Sequence, residues 1–83
     1  MTFGRYLKIQ RVKKGWNQTQ LGSYLGVSSC MVSYYEKDKR FPTAKVMNRL
    51  LHLLKLDKEL LKTYILNHFT NQAMDYFSQF KPL

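Results

Sequence analysis

Apolar residues recur along this chain at helical spacing, and caps, glycines and prolines stand between the recurrences. Phe3 and Leu7 lie one turn apart and face a core, with Ile9 or Val12 at the edge of that face. Thr2 is placed to cap this segment. Gly15 ends it after a basic last turn of Arg11, Lys13 and Lys14, which suits the helix dipole. A first helix is predicted over about 3–14. Leu21 and Leu25 predict a second over about 18–25, and Val32 with Tyr35 a third over about 29–37. Thr43 opens a fourth that runs to about Leu54. Its Val46, Met47, Leu50, Leu51, Leu53 and Leu54 cover most of the circumference, so it is expected at the centre of the core. Asp57 caps a fifth helix, with Leu56 and Leu61 as its staple and Leu60, Leu61, Tyr64, Ile65 and Phe69 as its stripe. Beyond Phe69 the pattern either continues as one long helix or restarts with Asn71 as a cap. Ala73, Met74, Phe77 and Phe80 form a second apolar face there, with Tyr76 beside it and Pro82 past its end.

The stretch from Asn17 to Arg40 carries two helix-start signatures in succession. Asn17 and Gln20 form a capping box, and Trp16 and Leu21 bracket it as a hydrophobic staple. The signature recurs at Ser28, with Val27 before it and Val32 four residues after. Between the two helices stands Gly26, which takes the left-handed conformation without strain and lets the chain turn sharply. Helices joined so closely must cross, and small Gly22 lets the second approach the first. This is the geometry of a helix-turn-helix, whose second helix enters the DNA major groove.

The run Gln18-x-x-Leu21-Gly22-x-x-Leu25-Gly26-Val27-Ser28-x-x-x-Val32-Ser33-x-Tyr35-Glu36 resembles the helix-turn-helix of the phage repressor and Cro family. The resemblance covers roughly residues 5 to 56, and takes in Arg11 before Gly15 and Lys39-Arg40-Phe41-Pro42 after the motif. Gly22 stands where the family commonly has Ala. Asp38 stands where it commonly has Gly, and Asp tolerates the left-handed conformation better than most residues. The resemblance implies an all-α, five-helix lambda-repressor-like DNA-binding domain over residues 1–69, its motif at about 17–37. A C-terminal helical extension over 70–83 follows, which the resemblance does not explain.

The resemblance also assigns roles. Arg11 would pair with Glu36 and tie the first helix to the third, the alternative being that Arg11 faces phosphates. Gln18, at the positive start of its helix, would hold a phosphate and brace the recognition helix. Ser28 opens that helix, and Ser29, Cys30, Ser33 and Tyr34 occupy its base-reading positions. None of these is the Gln, Asn or Arg that makes bidentate contacts to purines. Cys30 and the Tyr34 ring suit thymine methyl groups, and part of the specificity is expected from DNA shape. Lys37, Lys39 and Arg40 would clamp the backbone while Asp38 serves the turn. Cys30, in the first turn of a helix with basic neighbours, also invites a redox-sensor reading, against that of a small groove-facing residue.

Charge agrees with the motif. The 83 residues carry a net charge of +9. Residues 1–49 hold ten Lys and Arg against Glu36 and Asp38, a net of +8, whereas the rest of the chain nets +1. A positive field concentrated over the motif is the footprint of a polyanion partner. A chain this short buries only about 60–65% of its unfolded surface and gains from association. Phe69, Ala73, Met74, Tyr76, Phe77 and Phe80 are therefore expected to form a homodimer interface, with intramolecular packing as the alternative.

The expected function is that of a dimeric repressor of transcription on a palindromic, double-stranded DNA operator. The alternative is an antitoxin-like interaction protein whose aromatic tail binds a protein partner. No acid–base pair, nucleophile–histidine arrangement or phosphate loop is present, so no catalytic residue, and no enzyme, is expected. His52 and His68 stand alone and Cys30 is the single cysteine, so neither a metal site nor a cofactor is expected. No apolar run approaches the roughly 18 residues of a membrane helix. The expected location is the cytoplasm of a bacterial cell, with the protein host- or phage-encoded and on the nucleoid when bound.

Overall fold

The computed structural model describes residues 1–69 and 73–79, and the regular structure among them is entirely helical. The elements are α1 (Phe3–Lys13), α2 (Gln18–Leu25), α3 (Ser29–Glu36), α4 (Ala44–Leu54), α5 (Lys58–Phe69) and α6 (Ala73–Ser78). Local chemistry accounts for nearly every boundary. Each of the first five helices starts on a side-chain oxygen that takes up an otherwise orphaned backbone N–H. Thr2 accepts from Arg5, Ser28 from Met31 and Thr43 from Val46. Asn17 accepts from Gln20 while the Gln20 side chain accepts from the Asn17 N–H, a complete capping box. Asp57 accepts from both Glu59 and Leu60. Left-handed residues turn the chain afterwards: Gly15 and Gly26 at φ of 76° and 75°, Asp38 at 58° and Lys55 at 51°.

The chain forms two compact units that meet in sequence between Phe41 and Pro42. In the first, Leu7, Leu21, Leu25 and Val32 are completely buried, with Phe3, Tyr6 and Tyr35 nearly so. Burying a side chain of this size contributes about 1.5–3 kcal/mol, so these residues are the main source of the unit's stability. Phe3 also meets Phe41 at 5.2 Å between ring centroids. Gly4 explains how closely α1 and α3 approach. A Cβ there would overlap the carbonyl oxygens of Tyr35 and Glu36, so only glycine lets the start of α1 lie on the end of α3. Ile9 is half-buried and Val12 exposed, so of the two edge candidates Ile9 is nearer the core.

In the second unit, Met47, Leu50, Leu54, Leu56, Leu61 and Ile65 are buried. The α4 helix is more one-sided than its composition suggests. Ala44, Met47, Leu50 and Leu54 recur every three or four residues and are buried, whereas Val46, Leu51 and Leu53 are half-buried. α5 is described to Phe69 and α6 from Ala73, and the choice between one long helix and a restart at Asn71 falls on residues 70–72, outside the described residues. Tyr76 of α6 is buried against Phe69, ring centroids 4.6 Å apart, and its hydroxyl donates to the Pro42 carbonyl at 3.0 Å. Asn71, Phe80, Pro82 and the side chains of Ala73 and Met74 lie outside the described residues.

Candidate nucleic-acid interface

The turn between α2 and α3 is built on two glycines. Gly26 supplies the left-handed backbone, and the Val27 N–H donates back to the Gly22 carbonyl at 2.9 Å. A Cβ on Gly22 would lie 2.6 Å from the Val27 carbonyl oxygen. The close approach that Gly22 permits is thus to the turn backbone as it leaves for α3. The two helices are thereby locked at a short connection, and α3 presents one face to the core and another to solvent.

Val32 and Tyr35 point inward and are buried. Ser29, Cys30 and Tyr34 are exposed, while Ser33 and Met31 are half-buried at the margins. Ser28 is exposed too, but its hydroxyl oxygen is engaged by the Met31 N–H at 3.0 Å. Cys30 and Tyr34 stand one turn apart and interact. Their hydrogen bond, followed by the charge interaction with Cys30, pushes the Tyr34 phenol above its ordinary value of 10.0, against the pull of Arg40. Tyr34 is therefore a neutral donor at physiological pH.

Lys37, Lys39 and Arg40 are exposed at the end of α3. The loop that carries them is ordered by backbone bonds: the N–H groups of Lys39 and Arg40 both donate to the Tyr34 carbonyl, at 2.9 and 3.3 Å. Asp38 holds the left-handed position between them, and its carboxylate accepts from the Gly4 N–H at 2.9 Å. The negative charge sits at the positive end of α1, where it is favoured.

Behind this surface lies a polar network. Arg11 donates from Nε to Glu36 Oε2 at 2.5 Å and from Nη2 to Oε1 at 3.1 Å, and its Nη1 donates to the Trp16 carbonyl at 2.7 Å. Gln18 donates from Nε2 to Glu36 Oε1 at 3.0 Å. The Arg11 and Glu36 side chains are only 10% and 3% exposed. One carboxylate at the end of α3 therefore gathers α1 and the start of α2. Arg11 faces this carboxylate and not solvent. The Gln18 side-chain amide is committed to the same carboxylate, which leaves the positive N-terminus of α2 as the feature available to an anion.

The pattern of residues 2–63 matches the family described as "Helix-turn-helix domain". The chain belongs to that family. The match takes in α1 to α4 and half of α5, and α6 lies beyond it. The ImmF control region 10 kDa protein of Bacillus phage phi105 is 32% identical over 59 residues, which are 71% of this chain. The match spans 66% of that relative, just under two thirds of its length. No solved structure matches the chain. In this helix-turn-helix, α2 and α3 are the motif, within an all-α, phage-repressor-like domain. Among the described residues no helix is long and apolar enough to cross a membrane, and no three His, Cys, Asp or Glu are grouped to hold a metal.

Two features of the site were not singled out from sequence. Gly4 carries no chemistry, and its role exists only because the end of α3 lies across it. Tyr24 is 53% exposed and leans on Trp16, ring centroids 4.7 Å apart.

Proposed function

We propose that this protein is a sequence-specific, double-stranded DNA-binding transcriptional regulator, acting as a dimeric repressor on a palindromic operator. The observation that supports this best is the two-sided build of α3. Its inner face is spent on the core and its end is fixed by Arg11, Glu36 and Gln18, while Ser29, Cys30 and Tyr34 are left outward. Ser28, Ser29, Ser33 and the Tyr34 hydroxyl offer donors and acceptors to base edges, and Cys30 and the Tyr34 ring offer apolar contact to thymine methyls. Lys37, Lys39, Arg40 and the α2 terminus hold phosphates and set the register. The relative is named for the control region of a phage, which agrees with a regulatory role.

A single module of this size covers little DNA, and two-fold pairing doubles its contacts. The apolar surface for pairing is sought on α5 and the extension. Leu66 is 50% exposed and Phe77 half-buried, whereas Phe69 and Tyr76 turn toward each other within one chain. Selection of bound duplexes from a random pool at moderate salt tests the proposal. A palindromic consensus with half-sites about 34 Å apart supports it. No enrichment, with binding that vanishes as salt rises, reduces the interaction to charge alone and overturns it.

A further inference from the structure

The motif keeps its amides for itself. The two-bond contacts that identify a purine need a free side-chain amide, an Arg or a Lys at the base edge. Residues 17–37 hold three side-chain amides, and each is engaged within the protein: Asn17 and Gln20 in their capping box, Gln18 on the Glu36 carboxylate. Helix α3 itself contains no Arg, Lys, Asn or Gln. Its one charged side chain, Glu36, is 3% exposed and held by Arg11.

What faces outward is a soft surface. Ser29, Cys30 and Tyr34 are exposed, with Ser33 at the margin. Cys30 and Tyr34 stand one turn apart and hydrogen-bond to each other, so the thiol and hydroxyl are turned together and the ring and sulfur remain as a small apolar patch. A serine hydroxyl both donates and accepts, so Ser29 and Ser33 suit the O4 acceptor of thymine and the N4 amino group of cytosine alike. Hydrogen bonding on this face therefore separates the two pyrimidines poorly. The C5-methyl group of thymine separates it well from unmodified cytosine, and 5-methylcytosine carries that group at the same ring position.

We propose that Cys30 and Tyr34 together read a pyrimidine C5-methyl group whichever base carries it, so that this protein accepts 5-methylcytosine where it selects thymine. This rests on the DNA-binding reading above and names what that face recognises. Methylation of cytosine in a duplex then creates binding sites that the unmodified sequence lacks.

The test alters the DNA and keeps the full chain. Bound duplexes are selected from an unmodified random pool, and the thymine whose preference is flattened in Tyr34→Ala is located in the consensus. At that position of each half-site thymine is replaced by uracil, which removes the methyl group alone. The T·A pair is also replaced by C·G and by 5-methylcytosine·G. The expected result is about fourfold weaker binding per half-site with uracil, the scale of one buried methyl group, and at least as much with cytosine. With 5-methylcytosine the affinity returns to within about twofold of thymine. In Tyr34→Ala, thymine and uracil bind equally. Equal binding of thymine and uracil to the parent overturns methyl reading, as does a consensus in which Tyr34→Ala flattens no thymine. Binding of 5-methylcytosine no tighter than that of cytosine overturns the exchange of bases. A thymine preference over uracil that persists in Tyr34→Ala overturns the role of the pair. If the parent enriches no duplex at all, the DNA-binding reading itself fails, an outcome distinct from these, and the proposal falls with it.

Discussion

Arg11 and Glu36, 25 residues apart in sequence, meet through two hydrogen bonds in a setting where both side chains are almost sealed from solvent. A buried pair of this kind is weak grounds for net stability, because desolvation offsets much of the attraction. Breaking it is a different matter. Glu36→Ala leaves the Arg11 guanidinium buried with only the Trp16 carbonyl and frees the Gln18 amide. The expected loss is about 3–5 kcal/mol, read from urea unfolding. A loss under about 1 kcal/mol, the range of exposed pairs, would show that water reaches the site.

Asp38 and Gly4 form the second junction between α1 and the end of α3. Asp38→Ala removes an acceptor from a first-turn N–H and forces alanine into the left-handed region. The two effects sum to about 2–3 kcal/mol. Asp38→Asn keeps an oxygen acceptor and a residue tolerant of that backbone, so it should lose less than half as much. Gly4→Ala meets two backbone oxygens that cannot rotate away and should cost about 1–3 kcal/mol despite the better helix propensity of alanine. Equal stability of Gly4→Ala and the parent would mean that the end of α3 shifts freely, contrary to the packing described.

How much of this was legible in the sequence follows from how local each feature is. Asn17 with Gln20, Ser28, Thr43 and Asp57 act within three residues, and their caps can be read directly. The inward pair Val32 and Tyr35 follows from helical spacing. Asp38 was readable as a turn residue, but its partner Gly4 is 34 positions away and nothing near either points to the other. On α4 so many positions are apolar that periodicity is saturated, and only packing reveals Val46, Leu51 and Leu53 as the shallower ones. Beyond Phe69 apolar spacing alone does not distinguish one long helix from two.

Tyr35 gives the stability curve an alkaline limb. Burial pushes its phenol above the ordinary 10.0, against an opposing pull from Arg40. In the unfolded chain the phenol ionises at about 10, before its folded counterpart does. Below pH 10 both states are neutral and the contribution is whole. As pH rises past 10 and through the raised folded value, the unfolded state loses its proton first and stability falls. The urea midpoint should therefore drop above pH 10 more steeply in the parent than in Tyr35→Phe. Identical curves would show that Tyr35 does not contribute to the limb.

The DNA surface separates into two kinds of residue that salt can tell apart. Lys39→Ala removes one exposed cation from the loop after α3. It should weaken binding to all duplexes by a similar factor and lower the slope of log affinity against log salt by about one. Tyr34→Ala removes an outward ring and its link to Cys30 without removing charge. It should leave the salt slope unchanged and flatten the preference at one base pair of each half-site, by up to about 1–3 kcal/mol. Tyr34→Phe decides which part of the residue reads the base. Retained preference assigns the reading to the ring on a thymine methyl, and lost preference assigns it to the hydroxyl. Should Lys39→Ala shift the consensus while Tyr34→Ala only scales affinity, the roles of loop and helix face would be reversed, and α3 would not be the reading helix.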